Sequence, residues 1–133
     1  MPARILVIED DPNTLELMTY LLTAFGHTVL TATDGFAGLA LAGADGPDLI
    51  VCDIQLPALD GYGVARALAG NPRLKGIPLI AITALAMVGD RENILAAGFD
   101  GYMSKPIVPE TFVADLDGYL PAALHARRVE VKE

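Results

Sequence analysis

The sequence predicts an α/β domain in which a parallel sheet lies between two layers of helices, and two observations predict it. Apolar runs at residues 5–8, 49–52 and 77–82 have the continuous hydrophobic character of strands buried on both faces. Segments with the periodicity of amphipathic helices alternate with these runs. Such alternation implies right-handed βα crossovers. A chain of 133 residues then favours five βα units in the doubly wound strand order 2-1-3-4-5.

The first strand, residues 5–8, leads into a helix with signals at both ends. Asp11 is a residue type that caps helix N-termini, and Pro12 suits the first helical position. One face of this helix carries the apolar side chains Leu15, Met18, Leu22 and Phe25. Gly26 then provides a stop, because glycine readily adopts the left-handed conformation that ends many helices.

The remaining elements follow in order with weaker signals. Two further strands, at residues 28–33 and 101–103, are placed by their positions between helices. The predicted helices are a second from Thr33 or Asp34 to about Ala42, a third from near Asp60 to just before Asn71, a fourth over residues 87–97 that Gly98 closes, and a fifth from Pro109 that buries Phe112, Leu116, Tyr119 and Leu120. Pro121 is expected to end or kink the fifth helix. We therefore expect one domain over residues 1–122 and a short C-terminal tail at residues 123–133.

Composition excludes several classes of function. The chain has 17 acidic against 9 basic residues, a net charge of -8, which disfavours nucleic acid or an anionic membrane as the main partner. Its single cysteine, Cys52, excludes a disulfide scaffold and a cysteine-based zinc site. No apolar stretch reaches the roughly 20 residues of a membrane span, and the N-terminus lacks the pattern of a signal peptide. We expect a cytoplasmic protein.

Polar residues stand where the predicted strands end. They are Glu9, Asp10, Asp11, Asp53, Thr83 and Lys105, and Pro106 follows the last of them. In an open α/β sheet the functional site lies outside the carboxyl ends of the strands. Crowded carboxylates invite a cation, and oxygen ligands without histidine or cysteine favour Mg²⁺. A carboxylate beside such an ion can attack phosphorus, and Lys105 and Thr83 supply a charge and a hydroxyl for the resulting phosphate.

The same residues lie within a set of short motifs. The motifs occupy residues 8–11, 53–57, 60–61, 82–84 and 102–106. Together and in this order they resemble the CheY-like receiver domain of response regulators in two-component signalling, over about residues 3–122. Residues 84–87, followed by Gly89 and Asp90, are similar to stand-alone receivers of the DivK type and to receivers attached to hybrid histidine kinases.

The resemblance implies a role for each acid and for the lysine. Asp53 would accept the phosphoryl group. Asp10 and Asp53 would bind Mg²⁺ directly with the backbone carbonyl of Gln55, and Glu9 would act mainly through water. Lys105 would contact the phosphate. Asp11 is interpreted as a helix cap instead, and Asp34 and Asp60 in the same way.

The resemblance also implies a switch. Thr83 and Tyr102 would be its paired residues, so that Tyr102 moves into space that Thr83 vacates when the phosphoryl group draws it inward. Ala84 is small and would leave the phosphoryl site accessible. The bond between Lys105 and Pro106 is expected to be cis, a form tolerated before proline.

The function that follows is a phosphorylation-dependent switch and not an enzyme, with self-catalysed gain and loss of phosphate only. The donor would be a histidine kinase or a histidine phosphotransferase, and the output a protein that binds the surface of the fourth helix, fifth strand and fifth helix. The chain is expected to be a monomer or a homodimer linked to phosphorylation.

Three alternatives remain at this point. The chain could be a receiver fragment of a hybrid histidine kinase, although its first methionine and short tail favour a complete protein. It could be a flavodoxin-like FMN protein, although a first loop reading Glu-Asp-Asp-Pro repels phosphate. It could be an interaction module that has lost phosphorylation.

Cys52 is expected to be a packing residue, and His27 and His125 are expected to be solvated.

Overall fold

The computed structural model describes residues 3–84 and 88–125, and its centre is a five-stranded parallel sheet. The strands are β1 Arg4–Ile8, β2 Thr28–Ala32, β3 Leu49–Asp53, β4 Leu79–Thr83 and β5 Gly101–Ser104. They lie in the order β2-β1-β3-β4-β5, with every neighbouring pair parallel. The predicted fold class and strand order are therefore confirmed.

Helices cover both faces of the sheet. They are α1 Pro12–Ala24, α2 Gly35–Asp45, α3 Gly61–Ala69, α4 Val88–Ala96 and α5 Phe112–Asp117, and a 3₁₀ turn follows at Ala122–Leu124. Three aspartates, Asp11, Asp34 and Asp60, cap α1, α2 and α3 by accepting a hydrogen bond from the backbone N–H three residues on. Each carboxylate satisfies a donor that the helix leaves unpaired, so these caps set where the helices begin.

The core has two halves, one on each side of the sheet. Because side chains alternate along a strand, the five strands present apolar residues to both layers. One half joins the sheet to α2, α3 and α4, and contains Leu6, Ile8, Ile50, Val64, Leu68 and Ile94. The other joins it to α1 and α5, and contains Ile5, Val7, Val51, Met18, Leu22, Phe112 and Leu116. Cys52 is buried in the first half, where burial raises the pKa of its thiol, so it acts as a packing residue.

The last helix of the sheet's second layer, α5, differs from the prediction. Helix α5 begins at Phe112 rather than Pro109 and ends at Asp117, with Gly118 as its C-cap, before Pro121 is reached. Tyr119 lies beyond that end and is 39% exposed, so its predicted burial is wrong. Its ring packs beside Gly101 at the start of β5, where any added Cβ would collide with the tyrosine hydroxyl.

Two other predictions are corrected. Helix α2 continues three residues past Ala42, to Asp45, and ends at Gly46 with a left-handed φ of 55°. His27 is buried rather than solvated. Its Nδ1 accepts a hydrogen bond from Ala3 N at 2.9 Å, so the neutral ring carries its proton on Nε2, which lies 3.2 Å from Asp117 Oδ1.

No helix within residues 3–84 and 88–125 combines the length and the hydropathy that a membrane crossing requires. The predicted helix over residues 87–97 is observed as Val88–Ala96, and Met87 falls outside the described residues.

Candidate functional site

Five chemistry-bearing side chains meet at the carboxyl edge of the sheet. Glu9 and Asp10 follow β1, Asp53 is the last residue of β3, Thr83 is the last residue of β4, and Lys105 follows β5. Strand β3 is central and lies between β1 and β4, so their ends bring these groups together. The topology thus assembles residues that are up to 96 positions apart in the chain.

Three of the acids form a compact cluster. One carboxylate oxygen from each of Glu9, Asp10 and Asp53 lies within 4.8 Å of the others. Glu9 and Asp53 are buried, whereas Asp10 is exposed. Buried carboxylates at this spacing repel one another unless a cation compensates them. An oxygen-only donor set with one side open to solvent fits a hard divalent ion such as Mg²⁺, which retains water ligands.

Lys105 supplies positive charge to the cluster. Its Nζ lies 2.7 Å from Glu9 Oε1 and 3.0 Å from Asp53 Oδ2. Burial alone would lower the pKa of Lys105, but its hydrogen bonds to the two carboxylates outweigh burial and raise it. The ammonium group therefore stays charged and bridges the two buried acids.

Glu9 carries the strongest electrostatic signature of the site. Burial, opposed by Lys105 and reinforced by neighbouring Asp53, raises the pKa of its carboxyl group to about 7. Its Oε2 also accepts a hydrogen bond from the backbone N–H of Asp11 at 3.1 Å. Sequence reasoning assigned Asp11 only to capping, and the structure adds that its backbone orients Glu9.

Asp53 is oriented by the loop that follows β3. Its Oδ1 accepts a hydrogen bond from Gln55 N at 3.1 Å, which leaves Oδ2 facing Lys105. Gly61, the first residue of α3, allows this loop to pack tightly, since a Cβ there would lie 2.6 Å from the carbonyl oxygen of Asp53. The sequence signal for Gly61 was its place in the motif at residues 60–61, but the close approach was not predicted.

The two residues expected to form the switch lie on neighbouring strands. Thr83 is buried and lines a cavity of about 270 Å³ beside the site. Tyr102 is half-buried on β5, and the register pairs it with Ala81. The guanidinium carbon of Arg91, on α4, lies 6.0 Å from the centroid of the Tyr102 ring.

The other predicted positions are found as follows. Ala84 is exposed next to Thr83. The peptide bond between Lys105 and Pro106 is cis. Asp11 caps α1, and hydrogen bonds from Thr14 hold the pKa of its carboxyl below the usual value. Residues 85–87, part of the stretch similar to DivK-type receivers, lie outside the described residues.

Comparison with known proteins identifies the family. The model of the response regulator receiver domain matches residues 5–117, nearly the whole chain. The protein belongs to this family, as the resemblance of its motifs indicated. The family assignment decides between a receiver and an FMN protein in favour of the receiver.

Within the family, the chain is similar to a particular kind of receiver. It is 38% identical over 120 residues to the polar-differentiation response regulator DivK of Brucella anthropi, covering 90% of this chain and 98% of that protein. The DivK of Brucella ovis matches to the same extent. The chain is therefore a DivK-like receiver domain of a two-component response regulator, a signalling protein.

Solved structures agree with this assignment. The chemotaxis response regulator CheY4 of Vibrio cholerae superimposes with a TM-score of 0.85 at 27% identity, over 90% of this chain and 100% of that one. The receiver domain of sensor histidine kinase PA1611 from Pseudomonas aeruginosa PAO1 gives a TM-score of 0.82 at 33% identity, over 90% and 98%. That receiver has a magnesium ion coordinated in its active site cleft.

Proposed function

We propose that this protein is a switch that Asp53 turns on by accepting a phosphoryl group from a phosphorylated histidine. The observation that carries the proposal is the arrangement around Asp53. One of its oxygens is fixed by a backbone N–H and the other faces the ammonium group of Lys105, beside two more carboxylates. This combination positions a nucleophile and neutralises the charge that arrives with a phosphate.

The transfer moves one group between two side chains. A carboxylate oxygen of Asp53 attacks phosphorus, and the bond between phosphorus and the donor histidine nitrogen breaks. The imidazole leaves with the bonding electron pair and takes up a proton, while Asp53 becomes an acyl phosphate. Lys105 already contacts Asp53 and can remain paired with the new phosphate oxygens.

A divalent ion completes the site. Glu9, Asp10 and Asp53, with the backbone carbonyl of Gln55, would hold it, and Glu9 would act mainly through water. Bound Mg²⁺ would neutralise the carboxylates and the transferring phosphoryl oxygens. The magnesium-bound receiver of PA1611, 33% identical to this chain, supports this choice of ion.

The output of the switch is a change in a binding surface. Phosphorylation would draw the hydroxyl of Thr83 toward the phosphate, and Tyr102 would follow into the space released. Ala84 leaves the approach to the site open. The surface of α4, β5 and α5 would then change its affinity for a downstream protein, by a coupling of about 1–3 kcal/mol.

The donor would be a histidine kinase, a histidine phosphotransferase or both, and the protein would act in the cytoplasm as a monomer or a phosphorylation-linked homodimer. Return to the resting state would occur when water attacks the phosphorus of the acyl phosphate and regenerates the carboxylate. Gln55 flanks Asp53 and is exposed, so its side chain would affect the rate of this loss.

The alternative context for this receiver, a hybrid histidine kinase, requires the same chemistry. The receiver of sensor histidine kinase PA1611 supports the alternative that this sequence serves as a receiver within a hybrid histidine kinase. The acceptor, the ion and the switch would be the same in either case.

Acetyl phosphate tests the acceptor directly. Incubation with acetyl phosphate and Mg²⁺ should add one phosphoryl group, detected by intact mass, and the addition should vanish in Asp53→Asn. Asp115→Asn, which removes an exposed carboxylate from α5, should be labelled like the wild type. Absence of labelling in the wild type, or equal labelling of Asp53→Asn, would contradict the proposal.

A further inference from the structure

The cation–π contact between Arg91 and Tyr102 joins α4 to β5 outside the acidic site. The guanidinium carbon of Arg91 lies 6.0 Å from the ring centroid, within the range of an attractive interaction. Arg91 is exposed on α4, whereas Tyr102 is half-buried. The contact therefore links an exposed side chain of α4 to a half-buried ring on β5.

The position of the ring matters because of the cavity beside Thr83. Asp90 and Ile94 of α4 line this cavity of about 270 Å³ together with Thr83. Among the residues that the structure describes, Tyr102 does not belong to that lining. In this conformation the ring contacts Arg91 and does not line the cavity, and we expect a movement of the ring into the cavity to break its contact with the guanidinium group.

From this geometry we infer that Arg91 is a positioning residue that holds Tyr102 in the resting conformation and so opposes activation of the switch. The inference rests on the proposed function of Asp53 and Tyr102. A contact made in one of two states stabilises only that state. Every event that favours the other state, including phosphorylation, must then overcome it.

The size of the effect follows from the strength of such contacts. A cation–π pair at an exposed position is worth about a factor of two to five in an equilibrium constant. Where the resting state predominates, loss of the contact raises the activated population by the same factor. The apparent affinity for a phosphoryl mimic rises equally, because the mimic binds the activated state.

The direction of the change in affinity for the mimic distinguishes the loss of this contact from the loss of a positive charge near the site. Removing a positive charge near an anion site would weaken binding of an anionic mimic. Loss of a contact that stabilises the resting state would strengthen it. Arg91 variants therefore distinguish the two explanations by direction.

The experiment is a titration of the full chain with beryllium fluoride in Mg²⁺, followed through the backbone amide resonance of Tyr102. Arg91→Ala should bind the mimic about two to five times more tightly than the wild type. Arg91→Lys, which retains a cation, should show a smaller gain. Arg66→Ala, which removes an exposed arginine from the last turn of α3, should match the wild type.

A double variant shows whether the effect passes through the ring. In a Tyr102→Leu background, Arg91→Ala should no longer change the affinity. The inference about Arg91 would be overturned, with the proposed function left standing, by either of two results. One is unchanged or weaker binding of the mimic by Arg91→Ala in the wild-type background. The other is an equal gain in affinity in the Tyr102→Leu background. A wild-type protein that takes up no beryllium fluoride would instead overturn the proposed function and this inference with it.

Discussion

At the scale of single residues, the site is a balance between buried negative charge and one lysine. Glu9 and Asp53 are both buried, and Lys105 contacts both. The raised pKa of Glu9 shows that the ammonium group does not fully offset the cost of burying this carboxylate. The metal-free protein therefore holds an acid that is easier to ionise in the unfolded chain.

This balance predicts a pH dependence of stability. Between about pH 4.5 and pH 7 the folded, metal-free protein keeps a proton on Glu9 that the unfolded chain has released. The contribution of Glu9 to the free energy of unfolding therefore falls as pH rises through this window, by up to about 3 kcal/mol, and is constant above it. Glu9→Gln should remove this decrease. The free energy of unfolding of the variant minus that of the wild type should therefore be larger at pH 8 than at pH 5.

Urea unfolding in the presence of a chelator measures this difference at the two pH values. Glu16→Gln, at an exposed position of α1, serves as the control, and its stability difference from the wild type should change less between pH 5 and pH 8. If the stability difference between Glu9→Gln and the wild type were the same at pH 5 and pH 8, the account of the Glu9 carboxyl group would be wrong.

At the scale of elements, the loop between β3 and α3 connects packing to the site. Gly61 lets the first turn of α3 approach the backbone of Asp53 and Ile54 closely. The backbone N–H of Gly61 also donates a hydrogen bond to Ile54 O at 2.9 Å. The orientation of Asp53 therefore depends on a residue that carries no side chain.

A pair of glycine substitutions tests this dependence. In Gly61→Ala the new Cβ would meet backbone atoms at 2.6 and 2.7 Å, which cannot rotate away, so the loop must shift. We expect a loss of about 1–3 kcal/mol in the free energy of unfolding and slower labelling of Asp53 by acetyl phosphate. Gly43→Ala is the matched control, because a Cβ at this exposed position of α2 meets nothing within 4 Å.

The control has its own expected sign. Alanine in the interior of a helix is favoured over glycine, so Gly43→Ala should stabilise the protein by about 0.5–1 kcal/mol and leave labelling unchanged. Thermal or urea unfolding and the rate of labelling measure both quantities. Wild-type stability and labelling in Gly61→Ala would show that the close approach has no role in the site.

Elements also show how far the sequence predicts the structure. Buried strands can be predicted from continuous apolar runs, and helix starts from aspartate caps, because both signals depend on neighbours in the chain. The burial of His27 cannot be predicted in this way, since its hydrogen-bond partners are 24 and 90 residues away in the chain. The early end of α5 was also missed, because Pro121 was the expected stop, whereas the helix ends at Asp117 with Gly118 as its C-cap.

The acids of the site were predictable for a similar reason. Glu9, Asp10 and Asp53 stand directly at strand ends, so topology alone brings them together. The bridge that Lys105 makes to both buried acids, and the position of Arg91 over Tyr102, depend on side-chain packing between elements. Neither leaves a local pattern in the sequence.

At the scale of the whole molecule, the proposed function requires a link between the site at the carboxyl ends of the strands and the surface of α4, β5 and α5. The link runs through neighbouring strands, with Thr83 at the end of β4 and Tyr102 within β5. Both strands carry residues of the core, so the proposed switch would transmit a local movement at the site to the surface through packed elements.

Amide hydrogen exchange tests this link. Addition of beryllium fluoride with Mg²⁺ should change exchange in α4, β5 and α5, because the proposed switch repositions side chains there. Exchange in α2, which packs against β1 and β2 at the opposite edge of the sheet from β5, should change less. Identical exchange in α4, β5 and α5 with and without the mimic would show that phosphorylation of this chain has no output at that surface.

The central claim is that Asp53 itself carries the phosphoryl group, and chemical mapping tests it most directly. After incubation with acetyl phosphate and Mg²⁺, sodium borohydride reduces an aspartyl phosphate to homoserine, and peptide mass spectrometry locates the converted residue. The account predicts homoserine at position 53, with Asp10 and Asp11 unchanged. Conversion at another aspartate, or none in a protein whose intact mass shows a phosphoryl group, would contradict it.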